Sequence, residues 1–188
     1  MKKFTIVLLC LVSFSLTPVS AYNVNNFTDD FAVSDALTVL KAASENQVFD
    51  NLEENSVKIV FYDLSALSYS YKDHFAISGC NNMGDRYILI NSKYRNVPKE
   101  EIACLIAHES CHKAKVATIE EETLATETEA KCWIQLKQQG KAYPNNDLTR
   151  RLDSLAYLYE TSSVTKNNIQ ERIVNSPFYR EQLAIKPE

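Results

Sequence analysis

The segment PKEEIACLIAHESCHK, residues 98–113, decides the fold of this 188-residue chain. Proline is tolerated in the first turn of a helix and acidic side chains suit its positive end, so Pro98, Glu100 and Glu101 mark a helix start. An apolar stripe at helical spacing follows, formed by Ile102, Leu105 and Ile106. We therefore predict a helix that runs to about Lys113.

This predicted helix contains the sequence His108-Glu109-Ser110-Cys111-His112. Residues four apart lie on one helix face, so the His108 and His112 imidazoles can bind one metal ion. Glu109 points about 100° away from His108, near enough to act as a general base on a metal-activated water without being a ligand. Oxygen-preferring metals would not favour histidine, so the motif predicts zinc.

A catalytic zinc needs a third protein ligand, and no histidine follows His112. The next helical segment is rich in acids. Thr118 and Glu121 form a capping-box sequence and Gly140 is a stop signal, so we predict a second helix between them. The third ligand is expected to be a glutamate of this helix.

Helical projection ranks the candidate glutamates. Glu122 and Glu129 fall within the apolar stripe, where a carboxylate is costly unless it is paired or bound to metal, whereas Glu127 falls outside it. Glu120, Glu121 and Glu127 can be solvated. A chain reversal near residues 116–117 would place Glu122 opposite the motif, so we predict Glu122 as the ligand, with Glu129 next and Glu127 third. Glu129 is alternatively an acceptor that orients a ligand imidazole.

The HExxH motif followed by an acid-rich helix resembles the gluzincin group of zinc metallopeptidases over roughly residues 87–133. The resemblance implies a zincin-like α+β domain with an N-terminal helix, a small, mostly antiparallel sheet, the HExxH helix, a glutamate helix and C-terminal helices. It implies a zinc-dependent hydrolase of peptide bonds, with Glu109 as general base. The strand at 87–90 resembles the sheet-edge strand on which related peptidases bind extended substrates.

Periodicity and turn signals outline the other elements, and the order helix, strands, helices also favours an α+β domain. No partner for the transition-state oxygen can be chosen, although Tyr157 and Tyr159 are available. His74, the third histidine, is interpreted as structural. The predicted elements are a helix over 31–44, a strand over 57–62, a hairpin of 75–77 with 86–90, and helices over 147–160 and 165–174.

The first residues are typical of a secretory signal peptide. Lys2 and Lys3 precede an apolar run that ends in Val19-Ser20-Ala21, and the run is too short for a membrane span. We predict cleavage after Ala21, a secreted or periplasmic mature protein without a stable membrane anchor, and one domain over residues 22–188.

Composition limits the partners of this chain. The net charge of −4 becomes −6 without Lys2 and Lys3, so nucleic acid is not an expected partner, while a peptide or protein substrate is. Two alternatives stay open: a secreted binding scaffold with a structural or vestigial zinc site, and a metal-dependent hydrolase of a non-peptide amide. The pairing of the four cysteines beyond the signal peptide also stays open; they are Cys80, Cys104, Cys111 and Cys132.

Overall fold

The computed structural model describes residues 22–43, 45–113, 117–163, 165–177, 179 and 183. Within these residues the chain forms six α-helices and one three-stranded mixed sheet, an α+β architecture. The predicted signal peptide, residues 1–21, and most of the reversal expected near Val116 lie outside the described residues. No described helix is long and apolar enough to cross a membrane.

All helices predicted from the sequence are present, and one further short helix follows the first. Four of the six are capped by side chains at their N-terminal ends: Asp30, Thr118, Asn146 and Asn167 each accept a hydrogen bond from a backbone N–H two or three residues ahead. The helices are α1 Phe31–Ala42, α2 Asn46–Glu54, α3 Lys99–Glu109, α4 Ile119–Lys137, α5 Asp147–Glu160 and α6 Asn168–Asn175.

The sheet contains β1 Lys58–Tyr62, β2 Ala76–Cys80 and β3 Arg86–Asn91 in the order β1-β3-β2. Strands β2 and β3 form the predicted antiparallel hairpin, with Ala76 opposite Ile90. Strand β1 is parallel to β3, with Ile59 opposite Ile88, so only one of the two pairings is antiparallel. The sheet is therefore mixed rather than mostly antiparallel, because the hairpin places β3 and not β2 beside β1.

This strand order corrects the expectation that residues 87–90 form a sheet edge. Strand β3 is central and is hydrogen-bonded on both sides, whereas β2 lies at the edge. The sequence YILI of β3 is continuously apolar, as is typical of a strand with both faces covered. The sequence of β2, AISGC, is interrupted by Ser78 and Gly79. The edge strand is therefore β2.

Helix α3 lies in the middle of the molecule. Every residue from Glu100 to Glu109 is buried, because α1 and α4 pack against the helix and β2 and β3 contact it. The predicted apolar stripe is therefore only part of the buried surface of α3. Because the helix is enclosed on all sides, the direction of its last turn is fixed. The surrounding core includes Leu37, Leu40, Ile59, Ile88, Ile106 and Trp133.

Two buried glutamates fix the N-terminal end of α3. Glu101 is fully buried and accepts hydrogen bonds from Thr149 Oγ1 at 2.7 Å and from Asn146 Nδ2 at 3.0 Å. Glu100 accepts a hydrogen bond from Lys141 Nζ at 2.8 Å. The Glu101 contacts join the start of α3 to the start of α5, the Glu100 contact joins it to the segment between α4 and α5, and both carboxylates complement the positive end of the helix dipole.

Candidate metal centre

The HExxH motif spans the C-terminal end of α3. The helix ends at Glu109, earlier than the predicted Lys113, and its continuation tightens into a turn. In that turn Cys111 N donates to His108 O at 3.0 Å, and His112 N donates to Glu109 O at 3.3 Å. Such i to i+3 bonds are a common way of satisfying the last carbonyls of a helix. The two imidazoles still face one another, with ring centroids 5.2 Å apart.

Arg86, the first residue of β3, binds the carbonyl groups at the end of this turn. Its guanidinium donates hydrogen bonds to the carbonyl oxygens of His112 and Lys113, the latter at 2.8 Å. Carbonyl groups at a helix C-terminus carry partial negative charge, so the cation is favourable there. Through this side chain, β3 holds the backbone of His112 near the sheet. No pattern in the sequence indicated this contact.

Glu122 of α4 lies between the two histidines. His108 Nε2 is 3.8 Å from Glu122 Oε2, and His112 Nε2 is 3.7 Å from Glu122 Oε1. One ligand atom from each residue lies within 4.8 Å of the other two, and among the described residues this is the group of side chains that could hold a metal ion. Donors at about 2.0–2.2 Å from a tetrahedral zinc are separated by about 3.3–3.6 Å. The two histidine–glutamate distances are close to this range, and the group as a whole, within 4.8 Å, would contract around a bound zinc ion.

The charges around Glu122 favour a cation. The side chain is 3% exposed, and its burial raises its pKa, opposed by the charges of His108 and His112 and reinforced by those of Glu109 and Glu121. A buried carboxylate of this kind is costly without a close partner. A metal ion between Glu122 and the two imidazoles would supply that partner.

Glu129 lies on the far side of His108 from Glu122. Its Oε2 is 3.0 Å from His108 Nδ1, and its two oxygens bind both guanidinium nitrogens of Arg151. Burial would raise the pKa of Glu129, but Arg151 and His108 outweigh it and lower that pKa to about 2. This close contact with an ionised carboxylate favours a proton on His108 Nδ1 and leaves Nε2 toward Glu122, although the Nδ1–H direction is not aligned for a regular hydrogen bond.

Burial lowers the pKa of His108, but the close contact and charge of Glu129 outweigh burial and raise it overall. The same contact selects the tautomer with the proton on Nδ1, since Glu129 is an ionised acceptor. Nε2 is then left with a lone pair, which is the form of imidazole that binds a metal.

The remaining candidate glutamates take different positions. Glu127 accepts a hydrogen bond from Asn167 Nδ2 at 2.6 Å and is not part of the group. Glu121 was expected to be solvated, but it is only partly exposed: its Oε1 accepts a hydrogen bond from Lys113 N at 2.5 Å, and its Oε2 lies 4.0 Å from His112 Nδ1. Glu121 therefore holds the turn that carries His112. Glu120 is exposed.

The role of Arg151 as the counterion of Glu129 was not predicted from the sequence. It follows Leu148 by three residues on α5 and so lies toward that helix's buried face, where its charge pairs with Glu129. Its guanidinium also lies over the ring of Phe75, 5.2 Å from the ring centroid. A cation in register with an apolar stripe was the available signal for a buried ion pair.

Glu109 lies beside the three residues of the candidate metal centre. It is 9% exposed and lines a cleft of about 750 Å³ together with all three residues of the candidate metal centre. The other side of this cleft is formed by the chain that enters β2, residues 73–78. A second cavity of about 640 Å³ shares Ser78 and continues past Gly79 and Cys80 to the hairpin turn. Residues of β2 thus contribute to both cavities.

Tyr157 and Tyr159 do not line this cleft, and Tyr157 is 66% exposed. His74 is not part of the metal-binding group either, but it does line the cleft. Tyr179, from the chain beyond α6, lines it as well.

The four cysteines are free thiols. Cys104 of α3 and Cys132 of α4 are fully buried with their sulfur atoms 3.6 Å apart, so the two helices meet at this point. Cys111 is buried beside Ala107 O, and Cys80 is exposed at the end of β2.

No family model, curated protein or solved structure matches the chain. The function of this chain is therefore inferred from the geometry of the site.

Proposed function

We propose that this protein is a zinc-dependent peptidase of the gluzincin type, with His108, His112 and Glu122 as metal ligands. The observation that carries the proposal is the position of Glu109: a carboxylate that lies beside three convergent donors and opens into the same cleft. The arrangement of α3, α4 and an edge strand around that cleft is consistent with a zincin-like domain. Zinc, when bound, lowers the pKa of a coordinated water and polarises an amide carbonyl.

Glu109 would act as the general base and then as the acid. It takes one proton from the attacking water, whose oxygen forms a bond with the carbonyl carbon. The carbon–nitrogen bond then breaks, its electron pair stays on nitrogen, and Glu109 gives the proton to the leaving amine. The products are a carboxylic acid and an amine, and Glu109 ends as it began.

The free edge of β2 would bind the substrate backbone. Residues of this edge strand line the cleft beside the candidate metal centre and the neighbouring cavity. An extended peptide can add to such an edge through main-chain hydrogen bonds, which makes binding tolerant of sequence. This supports a peptide as the substrate.

Glu109→Gln tests the proposed chemistry, because glutamine keeps the shape of the side chain and cannot accept the proton. We expect the zinc-loaded wild-type protein to cleave fluorescently labelled casein and to lose this activity with o-phenanthroline. Glu109→Gln should bind zinc normally and lose at least about 100-fold in turnover, as for loss of a general base. Glu120→Gln, at an exposed glutamate of α4, is the matched control and should keep full activity.

Two outcomes would contradict the proposal. A zinc-loaded wild-type protein that cleaves neither casein nor a broad peptide library would favour the binding-scaffold alternative. Cleavage that is equal in wild type and Glu109→Gln would remove Glu109 from the reaction.

We also propose that the protein is exported and that residues 1–21, which lie outside the described residues, are removed. We expect the protein recovered from outside the cytoplasm to begin at Tyr22. Intact mass measurement would show it, and a recovered chain that retains Lys2 and Lys3 would contradict cleavage after Ala21.

A further inference from the structure

Two cysteines meet between the helices that carry the candidate metal centre. Cys104 of α3 and Cys132 of α4 are fully buried thiols, and their sulfur atoms are 3.6 Å apart. The other two described cysteines lie elsewhere: Cys80 is exposed at the end of β2, and the thiol of Cys111 is 3.5 Å from Ala107 O. The fold therefore brings one pair of cysteines into contact.

The cysteine pair lies in line with the contacts of the metal centre. Cys104 precedes His108 by four residues on α3, so the two side chains lie on one face of the helix. Cys132 follows Glu129 by three residues on α4, which places it one turn beyond the contact of Glu129 with His108. Glu122 lies two turns back along the same helix. A bond between the two sulfur atoms would therefore fix the register of α3 against α4, and with it the position of His108 beside both glutamates.

The two sulfur atoms need only a small movement to form a bond. A disulfide holds its sulfur atoms about 2.05 Å apart, so the observed 3.6 Å must close by about 1.5 Å. Rotation of the two short side chains, with a slight approach of the helices, can supply this movement. The bond would join positions 28 residues apart, and a cross-link over a loop of this length strongly restricts the unfolded chain.

Burial determines when such a bond can form. Both side chains are enclosed by the core, and desolvation raises the pKa of the Cys104 thiol well above its ordinary value. The reactive thiolate is therefore suppressed in the folded protein. An oxidant must reach the two cysteines before α3 and α4 pack together. A chain that folds in an oxidising compartment meets such an oxidant, a protein disulfide or a low-molecular-weight disulfide.

We propose that Cys104 and Cys132 form a disulfide while the exported protein folds, and that this bond holds together the two helices of the metal centre. One cysteine thiolate attacks the disulfide of the oxidant, which gives a mixed disulfide and releases one oxidant thiol. The second cysteine thiolate attacks the protein sulfur of the mixed disulfide, and the other oxidant thiol leaves. The two cysteines lose two electrons and two protons, and the oxidant's disulfide gains them as it becomes two thiols. The inference rests on the proposed export and is independent of peptidase activity.

Refolding in a glutathione buffer tests the pairing. The denatured, fully reduced protein is refolded with EDTA in reduced and oxidised glutathione, and free thiols are then blocked with iodoacetamide in urea. Glutamyl endopeptidase cuts after Glu109 and so separates Cys104 from Cys111. We expect mass spectrometry to find a fragment that links Cys104 to Cys132, with Cys80 and Cys111 alkylated. Protein recovered from outside the cytoplasm and blocked directly should carry the same link.

Unfolding measurements test the position of the bond in the core. With EDTA present, the oxidised wild-type protein should unfold at a urea midpoint at least about 1 M above that of the same chain refolded in dithiothreitol. Dithiothreitol should reduce the bond at least about 100-fold faster in unfolding urea than in native buffer, because reduction requires the core to open. The difference in midpoint should vanish in Cys132→Ala. Cys80→Ser, at the exposed cysteine, is the matched control and should keep both the link and the shift.

Several outcomes would overturn the inference. Refolded protein in which Cys104 is alkylated, or is linked to a cysteine other than Cys132, would contradict the pairing. Equal urea midpoints of the oxidised and reduced wild-type protein would contradict the stabilising role of the bond. Protein that forms the link in glutathione but is recovered from outside the cytoplasm with both thiols free would contradict the disulfide in the exported protein. Protein retained in the cytoplasm would overturn the proposed export, and with it the disulfide in the cell.

Discussion

Each imidazole of the candidate metal centre lies between two glutamates of α4. Both Nε2 atoms face Glu122, while the Nδ1 atom of His108 faces Glu129 and that of His112 faces Glu121. One helix thus supplies the third donor and the carboxylate that lies against His108 Nδ1, whereas the 4.0 Å between Glu121 and His112 is too long for a hydrogen bond. Such orienting contacts fix the tautomer and raise the basicity of the nitrogen that binds metal.

Removal of Glu122 tests its assignment as the third ligand. We expect Glu122→Ala to weaken zinc binding by more than about 100-fold, because loss of an orienting group alone costs about 10–100-fold. Glu120→Ala, on the same helix but exposed, should bind zinc like wild type. Competition with a chromogenic chelator measures both. A larger loss in Glu127→Ala or Glu129→Ala than in Glu122→Ala would identify another ligand.

Glu129 has two partners, so its removal should have two separable effects. Glu129→Gln should weaken zinc binding about 10–100-fold through His108. It should also destabilise the fold by up to about 3 kcal/mol, because Arg151, whose side chain is only 20% exposed, loses its counterion. Urea unfolding of the metal-free protein measures the second effect.

The double variant Glu129→Gln/Arg151→Met separates the two effects. It removes the uncompensated charge and should recover most of the stability, while zinc binding stays weak. Zinc affinity that recovers along with stability would show that Glu129 acts on the metal site only through the fold.

The residues of the site could be predicted from the sequence to different degrees. The spacing of His108 and His112 follows from helix geometry, and the two imidazoles converge even though the helix ends before His112. Projection placed both Glu122 and Glu129 on the buried face, and the assumed chain reversal favoured Glu122. Glu129 forms its ion pair with Arg151, which lies twenty-two positions further along the chain, and no local sequence pattern connects the two residues.

At the scale of elements, the position of α3 depends on its two ends. Glu101 joins its start to α5, and Arg86 joins the turn after it to β3. The motif therefore lies at a terminus that is fixed by contacts with the sheet and with the helices. A metal site needs this support, since small displacements of its ligands change the geometry.

Glu101 should give the stability a distinctive pH dependence. Burial raises its pKa above the ordinary 4.5, against the hydrogen bonds from Thr149 and Asn146. An acid with a raised folded-state pKa contributes stability that is fully present below its unfolded-state pKa and is lost as pH rises through the folded-state pKa. Relative to Glu101→Gln, wild type should therefore gain stability as pH falls from about 7 toward 4.5.

Urea unfolding of both proteins with EDTA, at several pH values in that range, measures this difference without a contribution from metal binding. A difference that does not vary with pH, or that grows as pH rises, would contradict the raised pKa of Glu101.

The strands themselves were predictable, but their order was not. Turn residues and β-branched runs indicated β1 and the β2–β3 hairpin, and all three are present. Which hairpin strand pairs with β1 depends on the path of residues 63–75 across the sheet, and their sequence carries no periodic signal for it. The result matters for the proposed function, since it moves the proposed substrate edge from 87–90 to 76–80.

At the scale of the whole molecule, the helices enclose α3 and leave its last turn beside an open sheet edge. Sequence periodicity predicted this α+β class and every described helix except α2, Asn46–Glu54. Its nine residues are fewer than the window over which helical periodicity can be recognised. Val48, Phe49 and Leu52 of α2 are buried, so packing with the rest of the molecule stabilises it.

Zinc titration of the metal-free protein tests the candidate metal centre most directly. We predict one zinc bound per chain in wild type and no stoichiometric zinc in His108→Ala or His112→Ala, because each loses one of the three convergent donors. His74→Ala, which removes the third histidine of the chain, should still bind one zinc. A wild-type protein that binds no zinc, or a His108→Ala/His112→Ala double variant that retains one equivalent, would contradict the site.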